Sequence, residues 1–305
     1  MKRALVLSGG GSKGAFEVGA IDYLVNTEGM NFNIFIGTSV GALNSAFLGQ
    51  ARNRMELARL SRDLKQLWLD IKGKHSIYRT SFWGALRLLW SDSLYQPNGL
   101  QRMLQQKIDL DRIFDPASVV KVAAVAQETG RLFYADSRNT GLKSDFLKYV
   151  LASASMPLYF PPVHIGGHHW YDGGLRDVTP LGAVFDEKPD EIVVIITYPV
   201  GPNLEPVISP RKHRGAVQAI LRTLEILINE VQTNDLQLAR YINENSRSFP
   251  GKCHIPIRLI APRNFLPGKD VLDFQREDIE NNIRLGYEAA QKSRLLGSKT
   301  LAAVK

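Results

Sequence analysis

Cysteine is almost absent from this chain of 305 residues, and the single Cys253 excludes an internal disulfide framework. A lone cysteine usually packs as a small hydrophobe, so we expect Cys253 to be buried. Long apolar runs are also absent. Two stretches of more than twenty residues lack Asp, Glu, Lys and Arg, but they contain Asn, Gln, Pro and His side chains that lipid would leave unsatisfied. A transmembrane helix is therefore not expected.

The N-terminus lacks the pattern of a cleavable signal peptide. The apolar run after Lys2 and Arg3 is only ALVL, whereas an h-region needs about 7–15 apolar residues. We expect a protein that is cytoplasmic or peripheral to a membrane. The net charge of +8, from 38 Lys and Arg against 30 Asp and Glu, suits plain solubility, an anionic membrane surface or nucleic acid. No pattern in the sequence indicates an oligomeric state.

The first fifty residues alternate between two kinds of hydrophobic pattern. Short apolar runs predict buried strands at 4–7 and 33–36, and helical spacing predicts helices at 14–25 and 41–48. A βαβα order implies a parallel sheet. The further predicted elements are helices at 53–71, 98–107, 144–154, 215–243 and 276–295, strands at 192–198 and 256–261, and hairpins at 119–135 and 164–171.

Two glycine-rich turns each follow one of the first two predicted strands. Residues 9–14 (GGGSKG) leave consecutive backbone N–H groups unblocked, which fits an oxyanion hole or a phosphate cradle. Residues 37–41 (GTSVG) place Ser39 on a sharp turn before a helix, where a nucleophile is exposed and developing negative charge is favoured. The alternative for residues 37–41 is an ordinary tight turn.

A serine nucleophile needs a base, and Asp172 is the first candidate because two glycines follow it on a turn. An aspartate in that position is otherwise an ordinary Asx turn. With His213 or His254 as a third member, the same residues would form the triad of a soluble carboxylesterase. A nucleotide- or phosphate-binding module without enzymatic activity is a further alternative. No metal site is predicted, because the histidines lack paired ligand spacing.

Together the three motifs resemble the patatin-like phospholipase family. Its members carry a G-G-G-x-[RK]-G loop, a G-x-S-x-G turn about thirty residues later, and a D-G-[AG] motif after a proline-rich approach, which here is residues 151–163 (LASASMPLYFPPV). The resemblance covers about residues 3–198, and Val178 departs from it by standing where the family often has Asn. It implies a three-layer α/β/α fold with a mainly parallel central sheet plus helical additions.

The resemblance also implies an activity and its residues. Ser39 is similar to the nucleophile and Asp172 to its general base, in a Ser–Asp dyad that hydrolyses phospholipids or other acyl-ester lipids through an acyl-enzyme without a cofactor. The oxyanion hole would be formed by the backbone N–H groups of Gly9, Gly10 and Gly11. Supporting positions would be Lys13, Gly14, Gly37, Gly41, Gly173 and Gly174.

We expect residues 1–200 to form the catalytic domain and 201–305 to add a Pro-rich linker, a long helix, a last strand and a last helix packed on that same domain. Within the first part, residues 51–112 read as a helical, basic insertion with a local net charge of +6. Its aromatic residues suit a lid or a contact with an anionic membrane surface, and core packing is the alternative. Nucleic acid is not expected as a partner. The aromatic residues are Trp68, Tyr78, Phe82, Trp83 and Trp90.

Overall fold

The computed structural model describes residues 1–80, 93–208, 215–249 and 253–295. The strands are β1 (Arg3–Leu7), β2 (Ile34–Gly37), β3 (Arg79–Thr80), β4 (Tyr95–Gln96), β5 (Val119–Ala126), β6 (Leu132–Asp136), β7 (Val163–Ile165), β8 (His168–Asp172), β9 (Glu191–Ile195), β10 (Ile257–Ile260) and β11 (Arg294–Leu295). The helices are α1 (Gly14–Asp22), α2 (Val40–Leu48), α3 (Arg54–Leu69), α4 (Asn98–Lys107), α5 (Leu110–Ile113), α6 (Phe146–Ser153), α7 (Leu181–Phe185), α8 (Ala216–Glu244) and α9 (Arg276–Lys292).

A nine-stranded sheet forms the centre of the fold, in the order β11-β10-β9-β1-β2-β5-β8-β7, with β6 paired to β5. The five middle strands from β10 to β5 are parallel. The outer pairings, which involve β6, β7, β8 and β11, are antiparallel. The sheet is therefore mixed around a parallel centre, which refines the expected mainly parallel arrangement.

Two cores lie on opposite faces of this sheet because side chains alternate along a strand. In β1, Leu5 and Leu7 join the core that contains the residues of α1, α2, α3, α6 and α9. Ala4 and Val6 join the other core, which contains residues of α7 and α8. The predicted three-layer α/β/α fold is confirmed. Among the described helices, none combines the length and apolar composition needed to cross a bilayer.

The long predicted helices and strands are confirmed with small differences at their ends, and α4 spans the predicted 98–107. Residues 201–305 do not stand apart from the rest, because β10 pairs with β9 and α9 packs on α1. The prediction for Cys253 was wrong: its side chain is exposed. Residues 81–92 of the predicted insertion 51–112, and His213, lie outside the described residues.

Candidate active site

The register of the sheet brings Ser39 and Asp172 to the same level. Gly37, the last residue of β2, pairs with Val122 of β5, and Ser39 follows two residues later. β5 continues beyond that point, and β8 returns antiparallel to it so that Asp172 pairs with Ala124, also two residues further on. Two motifs separated by more than a hundred residues in the sequence thus meet at one edge of the sheet.

Ser39 sits on a constrained turn. Its φ of 57° and ψ of −125° place a non-glycine residue in a sparsely populated region, and such strain persists only where the surroundings hold it. One of these restraints is the Ser39 N–H, which donates to Oγ of the buried Ser153 at 3.0 Å. Another is close packing at Gly41, where an added Cβ would clash with the carbonyl oxygen of Leu7. The serine side chain is therefore held outward at the start of α2.

Asp172 is only 5% exposed, and the hydroxyl group of Ser39 lies close enough to its carboxyl group to favour the ionised form. Its orientation is fixed from two sides: Oδ1 accepts the N–H of Gly174 at 2.8 Å, and its own N–H donates to the carbonyl of Ser155 at 3.0 Å. Burial raises the pKa of Asp172 to about 7, although the Ser39 hydroxyl and the Gly174 N–H act to lower it. A carboxylate with such a pKa is a far better proton acceptor at neutral pH than an exposed one.

The glycine loop after β1 presents two backbone donors beside Ser39. In the described residues, nothing accepts the N–H of Gly10 or Gly11, and both residues line the same cavity as Ser39. Gly9 differs, because its N–H donates to the carbonyl of Val178 at 3.1 Å. The expected contribution of Gly9 to an oxyanion hole therefore does not fit this structure, which leaves Gly10 and Gly11 as the candidate donors.

The loop is held by residues from distant parts of the chain. Gly11 has a φ of 58°, and the N–H of Ser12 donates to the carbonyl of Val271 at 2.7 Å. A Cβ on Gly10 would clash with Thr197, whose Oγ1 donates to the carbonyl of Gly9 at 2.6 Å. The loop therefore has little freedom to move when charge develops beside it.

The remaining predicted supporting residues surround this pair of turns. Lys13 is buried, and its Nζ lies 3.4 Å from the carbonyl oxygen of Leu266 and 5.8 Å from the ring centre of Tyr198. The glycines pack where a side chain would collide: Gly14 against Val40, Gly37 against Gly41 and Gly173 against Ala123, whereas Gly174 touches the Asp172 carboxyl group.

An apolar channel runs from Ser39 into the core between α2, α3 and α4. It offers about 100 Å³ to water-sized molecules and is lined mainly by apolar side chains. Leu43 and Phe47 line it along α2, so it reaches about 12 Å from Ser39 at 1.5 Å per helical residue. The polar side chain of Asn44 in its wall donates to Glu17 and accepts the indole N–H of Trp68, so its hydrogen bonds are made within the protein.

A wider and more polar cavity, here called the vestibule, opens on the other side of Ser39. It offers about 300 Å³ to water-sized molecules and contains Asp172 and the glycine loop. One wall is the first half of α8, with Arg222 and Glu225, and another is the segment 269–272. Ser39 therefore stands where an apolar and a polar compartment meet.

A second buried acidic group lies behind the vestibule. Asp235 of α8 accepts the N–H groups of Val178 and Thr179, both at 3.1 Å, and its carboxyl group faces that of Asp177. The hydroxyl of Tyr134 donates to Asp177 Oδ2, while Oδ1 has no other partner among the described residues. Burial raises the pKa of both acids, that of Asp235 to about 8. One proton shared by the two carboxyl groups would satisfy the orphaned oxygen and link α8 to the loop after Asp172.

The alternative triad finds no histidine in the described part of the chain. His254 is exposed and precedes β10, so it lies at the edge of the sheet opposite to the carboxyl ends that carry Ser39. No described histidine lines the channel or the vestibule. Over the same residues, no group of three His, Cys, Asp or Glu side chains is arranged to hold a metal ion.

Sequence reasoning missed several residues of the site. Ser153, Thr197, Val271 and Asp235 were not singled out, because hydroxyl, carbonyl and helix positions of this kind carry no motif. Trp68 and Tyr78, expected as possible membrane contacts, are 6% and 3% exposed and belong to the core, as the packing alternative predicted. Phe82, Trp83 and Trp90 lie outside the described residues.

Comparison with known proteins gives one family match. The model of the family described as patatin-like phospholipase matches residues 5–185. The uncharacterized protein YjjU of Escherichia coli K12 is 26% identical over 258 residues, which are 83% of this chain and 66% of that protein. The chain thus spans slightly less than two thirds of the length of this relative.

Two solved structures are similar at low sequence identity. VipD from Legionella pneumophila has a TM-score of 0.48 at 13% identity, covering 97% of this chain and 68% of that one. The type III effector protein ExoU has a TM-score of 0.32 at 14% identity, covering 95% and 53%.

Proposed function

Because this chain belongs to the patatin-like phospholipase family, we propose that it is a lipid acyl hydrolase of the phospholipase A or lysophospholipase type, with Ser39 as nucleophile and Asp172 as general base. One observation carries the proposal: a strained serine lies beside a buried carboxyl group of raised pKa, at the mouth of an apolar channel. The channel fits an acyl chain, and the vestibule fits the rest of the lipid.

The first half of the reaction forms an acyl-enzyme. Oγ of Ser39 attacks the ester carbonyl carbon while its proton passes to the Asp172 carboxylate. The carbonyl oxygen becomes an oxyanion, which the N–H groups of Gly10 and Gly11 stabilise. Each such fixed donor contributes about 2.7–4 kcal/mol in other hydrolases. When the intermediate collapses, the carbon–oxygen bond to the alcohol breaks, and the leaving oxygen takes the proton from Asp172.

The second half restores the enzyme. A water molecule gives a proton to Asp172 and attacks the acyl carbon, and the fatty acid leaves as Ser39 recovers its proton. Asp172 acts as base and then as acid in each half, which a pKa near neutrality favours in both directions. An apolar chain in the channel keeps the region around the carboxyl group dry and maintains its raised pKa.

A covalent probe tests the proposal directly. A fluorophosphonate bearing an alkyl chain should label Ser39 in the full chain, and peptide mass spectrometry should locate the adduct. Ser39→Ala should abolish both labelling and hydrolysis of a defined phospholipid. The absence of labelling and of ester hydrolysis in folded protein would contradict the proposal and favour a binding role for the glycine loop.

A further inference from the structure

In the first half of α8 the charged side chains face the vestibule, and large aliphatic side chains face outward. The sequence of the fourteen residues 216–229 contains only two charged residues, Arg222 and Glu225. Both line the vestibule, and the Arg222 guanidinium donates to Glu225 at 2.8 Å. A helix on the surface of a soluble protein normally turns its charges to solvent and its apolar residues to the core.

The outer face of the same turns carries large aliphatic side chains. Ile220 is 49% exposed, Ile226 39% and Leu227 55%. At 100° per residue Ile220 and Leu227 lie one above the other, on the side opposite Gln218 and Arg222, which line the vestibule. Scattered exposed aliphatic residues are ordinary, but three within two turns and without a charge among them form an apolar surface, which the exposed Glu230 borders at the next turn.

We infer that this face, formed by Ile220, Ile226 and Leu227, docks on the surface of a lipid bilayer and places the vestibule beside the lipid that enters it. The inference rests on the proposed function, since a lipid substrate has to reach Ser39 through the vestibule. The face and the vestibule are the two sides of one helix, about 10 Å across. A helix that sinks about 5–10 Å into the headgroup region would therefore bring the vestibule against the bilayer.

Charge supports a lipid surface as the partner. The chain has a net charge of +8, and in the sequence the basic run RKHR, residues 211–214, immediately precedes Gly215 and α8. These four residues lie outside the described part of the chain and do not belong to the proposed face. Apolar side chains next to Lys and Arg are the combination by which peripheral helices bind anionic membranes.

The second half of α8 supplies a matched control. Leu238 and Tyr241 are 60% and 58% exposed, and they point outward from the same helix. They do not line the vestibule, and Arg240 and Glu244 stand close to them in the sequence. Two charges introduced there change the net charge of the protein as much as two charges introduced on the proposed face.

The test compares I220D/L227D with L238D/Y241D in the full chain. Binding is measured by co-sedimentation with vesicles of phosphatidylglycerol and phosphatidylcholine, and hydrolysis on those vesicles and on soluble p-nitrophenyl butyrate. I220D/L227D should weaken vesicle binding at least about tenfold, because two aliphatic side chains lose their apolar contact. Its vesicle hydrolysis should fall in parallel, with p-nitrophenyl butyrate hydrolysis unchanged. L238D/Y241D should behave as wild type in all three assays.

Three outcomes would overturn the inference: unchanged vesicle binding by I220D/L227D, an equal loss in both double variants, or a wild-type dimer that I220D/L227D converts to a monomer. The last result would assign the face to a second copy of the chain. If I220D/L227D does not fold, I220Q/L227Q gives the same comparison. Vesicle binding is read without catalysis, so a wild type that binds vesicles but hydrolyses no ester would contradict the proposed function alone.

Discussion

The channel and the vestibule meet at Ser39 but are built in different ways. The channel is walled mostly by α2, α3 and α4, which are close in sequence and recognisable by their periodicity, with Phe160, Leu272 and Phe274 added from later in the chain. The vestibule is assembled from the glycine loop, Asp172, α8 and residues 269–272, which are spread over most of the chain. One compartment therefore offers apolar volume and the other offers charges and donors. We expect changes in the channel to alter chain-length preference and changes in the vestibule to alter chemistry.

Replacing the side chain of Ser39 or Asp172 should have the largest effect on activity. Ser39→Ala deletes the nucleophile, and Asp172→Asn keeps an oxygen to accept the Gly174 N–H but removes the base. We expect each to lower kcat by about 10³-fold or more, as for nucleophile and base in other serine hydrolases. Hydrolysis of p-nitrophenyl butyrate gives the rate, and circular dichroism shows that the variants are folded. Substantial turnover by either folded variant would remove the dyad.

Changing the glycine loop in the vestibule should have the second-largest effect on activity. Gly10→Ala introduces a Cβ that collides with Thr197, so the N–H groups of Gly10 and Gly11 must shift. We expect a loss of about 10²-fold in kcat with a smaller change in KM, because an oxyanion donor acts mainly in the transition state. Gly182→Ala is the control, since nothing lies within 4 Å of a Cβ there. Equal rates for the two variants would argue against a role for the loop.

Filling the channel should change the preference for acyl-chain length rather than the rate of the chemical step. Leu43→Trp narrows the channel one turn after Ser39, whereas Leu221→Trp adds the same side chain to the vestibule. We expect Leu43→Trp to lower the ratio of kcat/KM for p-nitrophenyl laurate over butyrate about tenfold, a loss of about 1.4 kcal/mol in chain binding. Leu221→Trp should leave that ratio unchanged. If both variants lower it equally, the two compartments do not divide the substrate as proposed.

The pH dependence should follow the carboxyl group at the junction. Asp172 must be ionised to accept a proton, so kcat/KM for p-nitrophenyl butyrate should fall about tenfold per pH unit below about 7. Stability should change in the opposite direction. The folded pKa lies above the unfolded value of about 3.9, so the contribution of this group is complete at low pH and is lost as the pH rises to about 7. A rate that does not change between pH 5 and 8 would contradict a general base of this pKa.

The smallest effect on activity is expected for the buried acidic pair Asp177 and Asp235 behind the vestibule. Asp177→Asn supplies a permanent N–H to Asp235 and an oxygen to Tyr134, in place of the shared proton. Wild-type stability should decline as the pH rises toward about 8, and the variant should show a weaker decline with activity changed less than about twofold. Thermal unfolding as a function of pH measures this. Asp145→Asn, at a surface pair with Lys148, is the control. Identical profiles for Asp177→Asn and wild type would show that the acids share no proton.

The two compartments also differ in how far they follow from the sequence. The helices around the channel are continuous periodic segments, and the short apolar strands with their glycine turns led to Ser39 and the loop. Asp172 needed all three motifs together, since one aspartate on a turn has no distinctive pattern. The register that makes Asp172 and Ser39 meet comes from the pairing of β5 with β8, which no local signal encodes.

Long-range contacts explain most of what was missed. Val271 and Thr197 act on the glycine loop through a carbonyl group and a hydroxyl, and their types are too common to mark them. The periodicity of α8 predicted a helix but not that its two charged residues near the start face inward. Gly9 shows the limit of a residue-by-residue resemblance, because its N–H is already used by Val178.

The contact between α1 and α9 bears on how much of the chain the chemistry requires. At Gly19 and Gly286 the two helix backbones touch, since a Cβ at either position would strike a carbonyl of the other helix. α1 begins directly after the glycine loop, and the segment that leads into α9 supplies the carbonyl of Val271 to that loop. The residues 5–185 that match the family therefore contain the proposed reactive groups but not the segment around Val271 that holds the glycine loop. A fragment limited to residues 5–185 would contain the residues of the proposed site but would lack the contacts that position them.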